Sequence, residues 1–557
     1  MIDVLIAGAG PNGLMLACEL ALSGVYPVVL ERHATPTGEP RANGLVGQVV
    51  RLLDRRGLYA RLSGGSTPPS PQPAFTFGAF PLDLTMLEEN PHYVLGVPQA
   101  QLEACLAARA AELGVDVRRG HEVVDLRRRP DAVEVHLAGG TRLAARFLVG
   151  ADGGRSTVRR LAGIDFPGVT TDLSVSRTAA VTIPEPALDP GTGGLRVPGY
   201  GVVPPFQHTR TPHGLIAWAP FPGRPAILST TEWPSPPGNE PLLGAASAER
   251  PGPPADGDAS MERAGAEPAG APEGGDVPMS LDELRASVAR VLGADVPIGA
   301  PEGPGLLRRL TGGNTRIAAR YRAGRVLLVG DAAHVHPAMG GPGLNLGLQD
   351  AANLGWKLAA TVRGWAPEGL LDTYEAERRP VAERVVMSAR AQSALSGPGD
   401  EITGLRGLFA ELLRKPEVTG HIAALMSGAD VRYPADPADP LAGRSAPDVI
   451  VHGGHGPVRL AELTRAARPL LLDSTGRYAD AAAPWTDRVD VVTGPLEGTT
   501  ATALLVRPDC FVAWSAGEAG EAGEAGEAGH AGHAGTLRAA LTRHFGLPAS
   551  LLSHGRS

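Results

Sequence analysis

Gly8, Gly10 and Gly13 stand in Gly8-Ala9-Gly10-Pro11-Asn12-Gly13, between a short apolar run and a helix-like segment. Glycines at that spacing let a backbone turn approach a pyrophosphate, which the positive end of the helix then holds. Glu31, followed by Arg32, closes the next apolar run 23 positions after Gly8. That is about the distance at which a carboxylate reaches ribose hydroxyls. The chemistry is that of gripping a dinucleotide, and this fingerprint does not separate FAD from NAD.

Later segments have the same character. Gly150-Ala151-Asp152-Gly153-Gly154-Arg155-Ser156-Thr157-Val158-Arg159 reads as a turn whose aspartate accepts backbone hydrogen bonds and whose glycines permit close approach. In Arg325-Val326-Leu327-Leu328-Val329-Gly330-Asp331 the aspartate leaves a buried strand end, where a carboxylate needs donors such as polyol hydroxyls. Pro337, Gly340, Gly341, Gly343, Leu344 and Asn345 then lead into a helix holding Asp350, Asn353 and Trp356, and its first N–H groups can face a ligand. His334 and His336 alternate on one face of an extended segment. No carboxylate or cysteine cluster accompanies them at metal-binding spacing, so no metal is expected. A Gly-x-Ser-x-Gly elbow is missing too, which leaves hydrolysis without support.

These residues need elements to place them. Val4 to Ala7 reads as a buried strand, Leu14 to Ser23 as a helix ended by Gly24, and Pro27 to Leu30 as the next strand, a βαβ unit. Gln101 to Leu113 has helical spacing with Gly114 as its cap, and Val133, Val135 and Leu137 alternate as on a half-buried strand. From Asp172 to Trp233 strand runs are separated by proline and glycine, among them Gly214 to Trp218 and Ala226 to Thr230. Residues 234–278, rich in Pro, Gly, Ala, Glu and Ser, lack the apolar side chains to offset ordering entropy and read as an unstructured insertion. Helical spacing resumes over Leu281 to Leu292.

The expected fold is α/β, with a Rossmann-like nucleotide-binding domain over 1–171 and 301–395 and an inserted sheet-rich domain over 172–300. A helical connector (396–445) and a small α/β domain (446–557) follow. Within the last, residues 516–535 carry glycine at every third position without proline, which favours a flexible loop over a collagen helix. His530 and His533 read as loop residues rather than ligands.

A length of 557 residues suggests three or four domains. The formal charge of −8 offers no basic field for nucleic acid or anionic lipid, so neither partner is expected. Three scattered cysteines, Cys18, Cys105 and Cys510, build no disulfide framework. With no signal-like leader and no apolar run of spanning length, the expected location is cytoplasmic. Lysine occurs only at Lys357 and Lys415 while arginine abounds, the coding bias of a GC-rich genome such as an actinobacterium's.

Taken in order over about residues 1 to 395, the motifs resemble those of the flavoprotein monooxygenases of the p-hydroxybenzoate hydroxylase and phenol hydroxylase type. The resemblance implies FAD held by Gly8 to Gly13, Glu31 and Arg32, with Asp152 in a turn linked to both FAD and NAD(P)H. It places Asp331 on the ribityl chain and the 337–345 loop at the flavin pyrimidine edge, where a helix start stabilises the charge of the reduced ring. Arg41 matches a family arginine near flavin and diphosphate, and Gln99 a glutamine that bonds the cofactor. Gln48 stands where relatives usually carry arginine, a departure that removes a charge from the cofactor region. Leu504 to Asp509 and Val512 to Trp514 resemble the closing strands of a thioredoxin-like C-terminal extension. With Cys510 alone there, the extension is expected to serve packing or dimer contacts rather than disulfide exchange.

The implied activity takes hydride from NAD(P)H, NADPH before NADH, and captures O2 on the reduced flavin as a C4a-hydroperoxide. Its terminal oxygen then attacks an electron-rich ring. The implied substrate is a polycyclic aromatic, polyketide-like or phenolic molecule between the flavin and the sheet of the middle domain. Tyr200, Phe206, His208 and Trp218 are candidate wall residues. No catalytic base is assigned. Baeyer-Villiger insertion and dehydrogenation remain open on the same scaffold, whereas flavin binding without turnover sits badly with intact motifs. The chain is expected to act as a monomer or homodimer, in secondary metabolism leading to or modifying antibiotics.

Overall fold

The computed structural model describes residues 1–36, 44–170, 174–221, 223, 225–233, 278–302, 305–337, 342–454, 456–517 and 527–548. Arg41, Gly340 and Gly341 lie outside them, as does the insertion expected over 234–278 apart from Pro278. The chain divides into two compact units: residues 1–169, 314–395 and 404–557 form one, residues 170–313 and 396–403 the other.

The larger unit is organised by a sheet whose strands run Arg322–Ala323, Val326–Leu328, Arg142–Gly150, Ile2–Ala7, Val28–Glu31 and Asp116–Arg119. From Val326–Leu328 to Asp116–Arg119 these neighbours are parallel, with Ala7 opposite both Gly150 and Leu30, and Gly150 opposite Leu328. A strand buried on both faces reads as an unbroken apolar run, and Val4 to Ala7 is fully enclosed for that reason. The central strands end side by side, and their next residues are Gly8, Ala151-Asp152 and Val329 to Asp331. In open parallel sheets ligands bind beyond the carboxyl ends of the strands where strand order reverses, which happens here at Ile2–Ala7.

Helix Pro11–Leu22 is buried nearly all round and packs on helices Pro342–Arg363 and Gln99–Glu112. Its contact with Pro342–Arg363 is tight, since a Cβ on Gly355 would stand 2.5 Å from that of Glu19.

The C-terminal part of this unit has a four-stranded sheet ordered Asp490–Thr493, Leu470–Asp473, Ala503–Val506 and Val512–Ala516. Helix Glu527–Phe545 buries Leu537, Leu541 and Phe545 against Leu505, Trp485 and Trp514, and Trp356 of helix Pro342–Arg363 belongs to the same cluster. The flexible loop expected over 516–535 is therefore too long. From Glu527 the chain is helical, because a helix anchored by these apolar residues can propagate into a glycine-containing segment whose other residues favour helix.

The smaller unit is an antiparallel sheet ordered His208–Thr211, Gly214–Ala219, Ala226–Glu232, Val175–Val181 and Leu307–Thr311. Leu307–Thr311 pairs with Val175–Val181, so the boundary expected at 300/301 falls instead after Gly313. Helix Leu281–Leu292 lies where its spacing predicts it, with Ser280 accepting from the Glu283 N–H and left-handed Gly293 ending it. The connector expected over 396–445 carries helices Asp400–Leu412 and Pro416–Ser427. Among the described residues no helix is long and apolar enough to cross a membrane.

Candidate cofactor site

The first turn of the site is built by steric need. Gly8 has φ +107°, and a Cβ there would meet the Ala151 carbonyl oxygen at 2.4 Å. A Cβ on Gly10, by contrast, would touch nothing within 4 Å, so the turn presents bare backbone to open space. Helix Pro11–Leu22 begins behind it without a side-chain cap and without an acid in its first turn. An uncapped helix start leaves N–H groups and positive potential unspent, which is what a diphosphate requires. Glu31 is fixed rather than loose: its carboxylate oxygens accept the Ala9 and His33 N–H groups, each at 2.9 Å.

Asp152 is used to build its own turn. Its oxygens accept the Ser156 hydroxyl at 2.5 Å and the Val158 N–H at 3.0 Å, and Ser156 in turn caps helix Thr157–Leu161. Arg159, the last residue of the same motif, braces this turn from inside. Its guanidinium donates to the carbonyls of Gly154 and Ala332, both at 3.0 Å, and lies 3.8 Å from the centre of the Phe166 ring. Burial lowers its pKa, and the carbonyls bind its charge to both loops. One side chain thus ties the Asp152 turn to the Asp331 segment.

Asp331 lies in a single 3-10 turn, Gly330–Ala332, with an exposed carboxylate that accepts no hydrogen bond among the described residues. Of the three motif acids it is the one whose carboxylate no described residue engages. Gly330 (φ +61°) and Gly347 clasp Asn12: a Cβ on either would meet the Asn12 Nδ2 atom, at 2.0 and 2.4 Å. The asparagine of the first fingerprint is therefore packed between the second and third loops. Its buried Oδ1 has no partner among the described residues.

Pro342, Gly343, Leu344 and Asn345 form the first turn of helix Pro342–Arg363, again without an acid there. Asn345 accepts the Val46 N–H at 3.2 Å, joining this turn to strand Leu45–Val46. A Cβ on Gly343 would come to 3.4 Å from the His336 ring, whose Nδ1 pairs with the carbonyl of the next residue, Pro337. Burial pushes His336 below the usual histidine range. Asp350, fully buried, pairs with His334 at 2.6 Å and Arg378 at 2.7 Å. Burial disfavours its charge, yet Arg378 and His334 together hold its carboxyl below the usual range.

Other sequence candidates are less directly engaged. Gln99 opens helix Gln99–Glu112 and donates to Glu103 at 2.8 Å, Gln48 accepts from Arg51 at 3.0 Å, and exposed Arg32 donates to His33 at 3.0 Å. Among the described residues no three of His, Cys, Asp and Glu cluster as a metal site. In the smaller unit Trp218 is a core residue rather than a wall, with its indole N–H on the Gly193 carbonyl. Tyr200 and Phe206 are exposed and His208 is half-buried. Phe206 holds φ +60° and meets Phe221 edge-on at 5.5 Å between centroids.

The family profile "FAD binding domain" matches residues 1–190 and 282–389, more than half of the chain, and "Aromatic-ring hydroxylase, C-terminal" matches 439–548. This chain belongs to the FAD-binding aromatic hydroxylase family. It is 41% identical over 533 residues to the 12-dehydrotetracycline 5-monooxygenase/anhydrotetracycline 6-monooxygenase of Streptomyces rimosus subsp. rimosus, covering 92% of this chain and 95% of that protein. It is 35% identical over 518 residues to the dialkyldecalin synthase of Streptomyces rugosporus, covering 92% and 96%. Among solved structures it is similar to the anhydrotetracycline hydroxylase from Streptomyces rimosus, with a TM-score of 0.78 and 37% identity over 98% of this chain and 99% of that one. FAD is its cofactor, and it is an FAD-dependent monooxygenase.

Proposed function

We propose that this hydroxylase draws electrons from NADPH and inserts one atom of O2 into an electron-rich ring of a polycyclic aromatic polyketide on a route to, or a modification of, an antibiotic. The observation that carries this reading is the convergence of the three loops at one carboxyl edge of the sheet, in a chain that the anhydrotetracycline 6-monooxygenase of Streptomyces rimosus matches almost end to end. FAD, when bound, supplies the hydride acceptance and oxygen activation.

The protein's part is to hold and shape. We assign the diphosphate to the bare turn at Gly8, Gly10 and Gly13 with Pro11 and Asn12, the ribose to Glu31, and the polyol to Asp331. The first turn of Pro342–Arg363, with Gly343, Leu344 and Asn345, is assigned to the pyrimidine edge, where a helix start favours negative charge. Arg41 and Gln99 complete the assignment, and the Asp152 turn, braced by Arg159, serves cofactor and NADPH. Tyr200 and Phe206 present aromatic surface suited to a planar ring system, and we assign them with His208 to the substrate. The C-terminal sheet, a parallel pair followed by an antiparallel hairpin, supports a thioredoxin-like reading of that domain.

The test is NADPH oxidation under 18O2 by purified holoenzyme with a panel of linear polycyclic phenols, anhydrotetracycline among them. Product carrying one labelled atom supports hydroxylation, and fragmentation separates it from ring insertion. A rearranged product of unchanged mass would overturn the reading and align the chain instead with the dialkyldecalin synthase it also resembles.

A further inference from the structure

A chain of buried polar contacts runs from the Gly330–Pro337 segment into the C-terminal strands. Asp350 Oδ2 accepts the Gly330 N–H at 3.4 Å as well as His334, while Oδ1 accepts Arg378. Arg378 also donates to the Leu346 carbonyl at 3.2 Å, in the turn after Asn345, and to the Tyr433 hydroxyl at 3.0 Å. The Tyr433 ring is stacked on Phe511 at 4.0 Å between centroids, with the Arg507 guanidinium 5.0 Å from its centre. Beside Arg378, Glu377 accepts Arg507 twice, at 2.7 and 2.8 Å, and also Lys357 and Asn353 at 2.7 Å. Asp509 completes the set, bound by Arg507 and, at 3.0 Å, by Asn353.

Every charged member is buried, from 0% exposure at Asp350, Lys357 and Arg378 to 7% at Glu377. Three carboxylates, Asp350, Glu377 and Asp509, meet three cations, Lys357, Arg378 and Arg507, so the balance is exact only when all are present. Removing one partner leaves an unpaired charge in a dry core, which the helices must move to relieve.

We propose that Arg507 and Asp509 are positioning residues for the cofactor site: the C-terminal strands, acting through Glu377, Arg378 and Asp350, fix the placement of Gly330, His334 and the start of helix Pro342–Arg363. The proposal rests on the assignment of those segments to FAD.

The experiment titrates FAD into apoprotein of the full chain, reading the dissociation constant by flavin fluorescence and the bound geometry by the visible circular dichroism of the flavin, with Tm measured alongside. Arg507→Met is compared with Arg507→Lys, Asp509→Asn and Leu460→Ala, a fully buried core residue of the same C-terminal part that is outside the chain. Arg507→Met is expected to weaken FAD about tenfold and change the dichroism, as coupling along a packed network does. Arg507→Lys should recover part of both, while Leu460→Ala lowers Tm and leaves both flavin readouts alone. Flavin readouts that simply follow Tm across all four variants, or that stay unchanged in Arg507→Met, overturn the proposal. If Arg507→Met does not fold, the same comparison is decided on Arg507→Lys and Asp509→Asn. Wild-type protein that takes up no FAD would instead overturn the underlying assignment.

Discussion

Two residues carry separable predictions. Asp331 offers a carboxylate that no described protein group occupies, so Asp331→Ala should fold with an unchanged Tm and lose FAD affinity by about ten- to a hundredfold, the worth of one or two charge-assisted hydrogen bonds. Retained visible absorbance after gel filtration would contradict it. His92 is a different case, 1% exposed, its ring centroid 4.2 Å from that of Phe75, and without a partner on either ring nitrogen among the described residues. Burial pushes its pKa down to about 4. Between that value and about 6.5 the unfolded chain binds the proton that the folded chain refuses. The contribution to stability is therefore whole above pH 6.5 and is lost as pH falls toward 4, by roughly 3 kcal/mol. His92→Phe should flatten the fall of Tm across that window, and a wild-type slope in the variant would count against the account.

At the scale of elements, close packing sets the terms. Gly330→Ala puts a methyl group against Asn12 and imposes a left-handed φ on alanine, so a loss of about 2–4 kcal/mol is expected from overpacking and strain together. Asn12→Gly in the same chain should recover the overpacking share but not the strain, which denaturant melts of both variants can measure. The first βαβ unit was legible from Val4-Leu5-Ile6-Ala7, the glycines and Glu31, because short-range periodicity and turn chemistry determine it. Helix Leu281–Leu292 was legible for the same reason. Leu307–Thr311 was not, since its partner Val175–Val181 lies over a hundred residues away and no local pattern names a partner. Arg159 stood in plain view within its motif, but its two acceptors are carbonyls, which sequence does not distinguish. Arg378, Glu377 and Arg507 belong to no motif that the sequence shows, and only their enclosure in the fold marks them out.

For the molecule as a whole, the larger unit is joined by buried ion pairs as much as by its apolar core. Glu19 of the first helix holds Arg56 through two contacts, 2.6 and 2.9 Å, and Arg56 also reaches the carbonyls of Thr464 and Pro508. Arg56→Met should cost about 3–5 kcal/mol by stranding Glu19, whereas Glu19→Leu with Arg56→Met should recover much of it, because the isolated charge and not the lost pair is the larger expense. Equal losses in single and double variants, measured by equilibrium unfolding, would refute that.

The pairing of Gly150 with Leu328 also bears on synthesis. Every residue of the smaller unit's sheet leaves the ribosome after strand Arg142–Gly150 and before strand Val326–Leu328. Until that last strand arrives, the edge at Leu148 to Gly150 has unpaired backbone, and the Asp152 turn lacks the carbonyl of Ala332 that Arg159 will bind. A nascent chain that stops short of Val326 therefore exposes a sticky strand edge, and one that stops short of Ala332 leaves the Asp152 turn without its brace to the Asp331 segment.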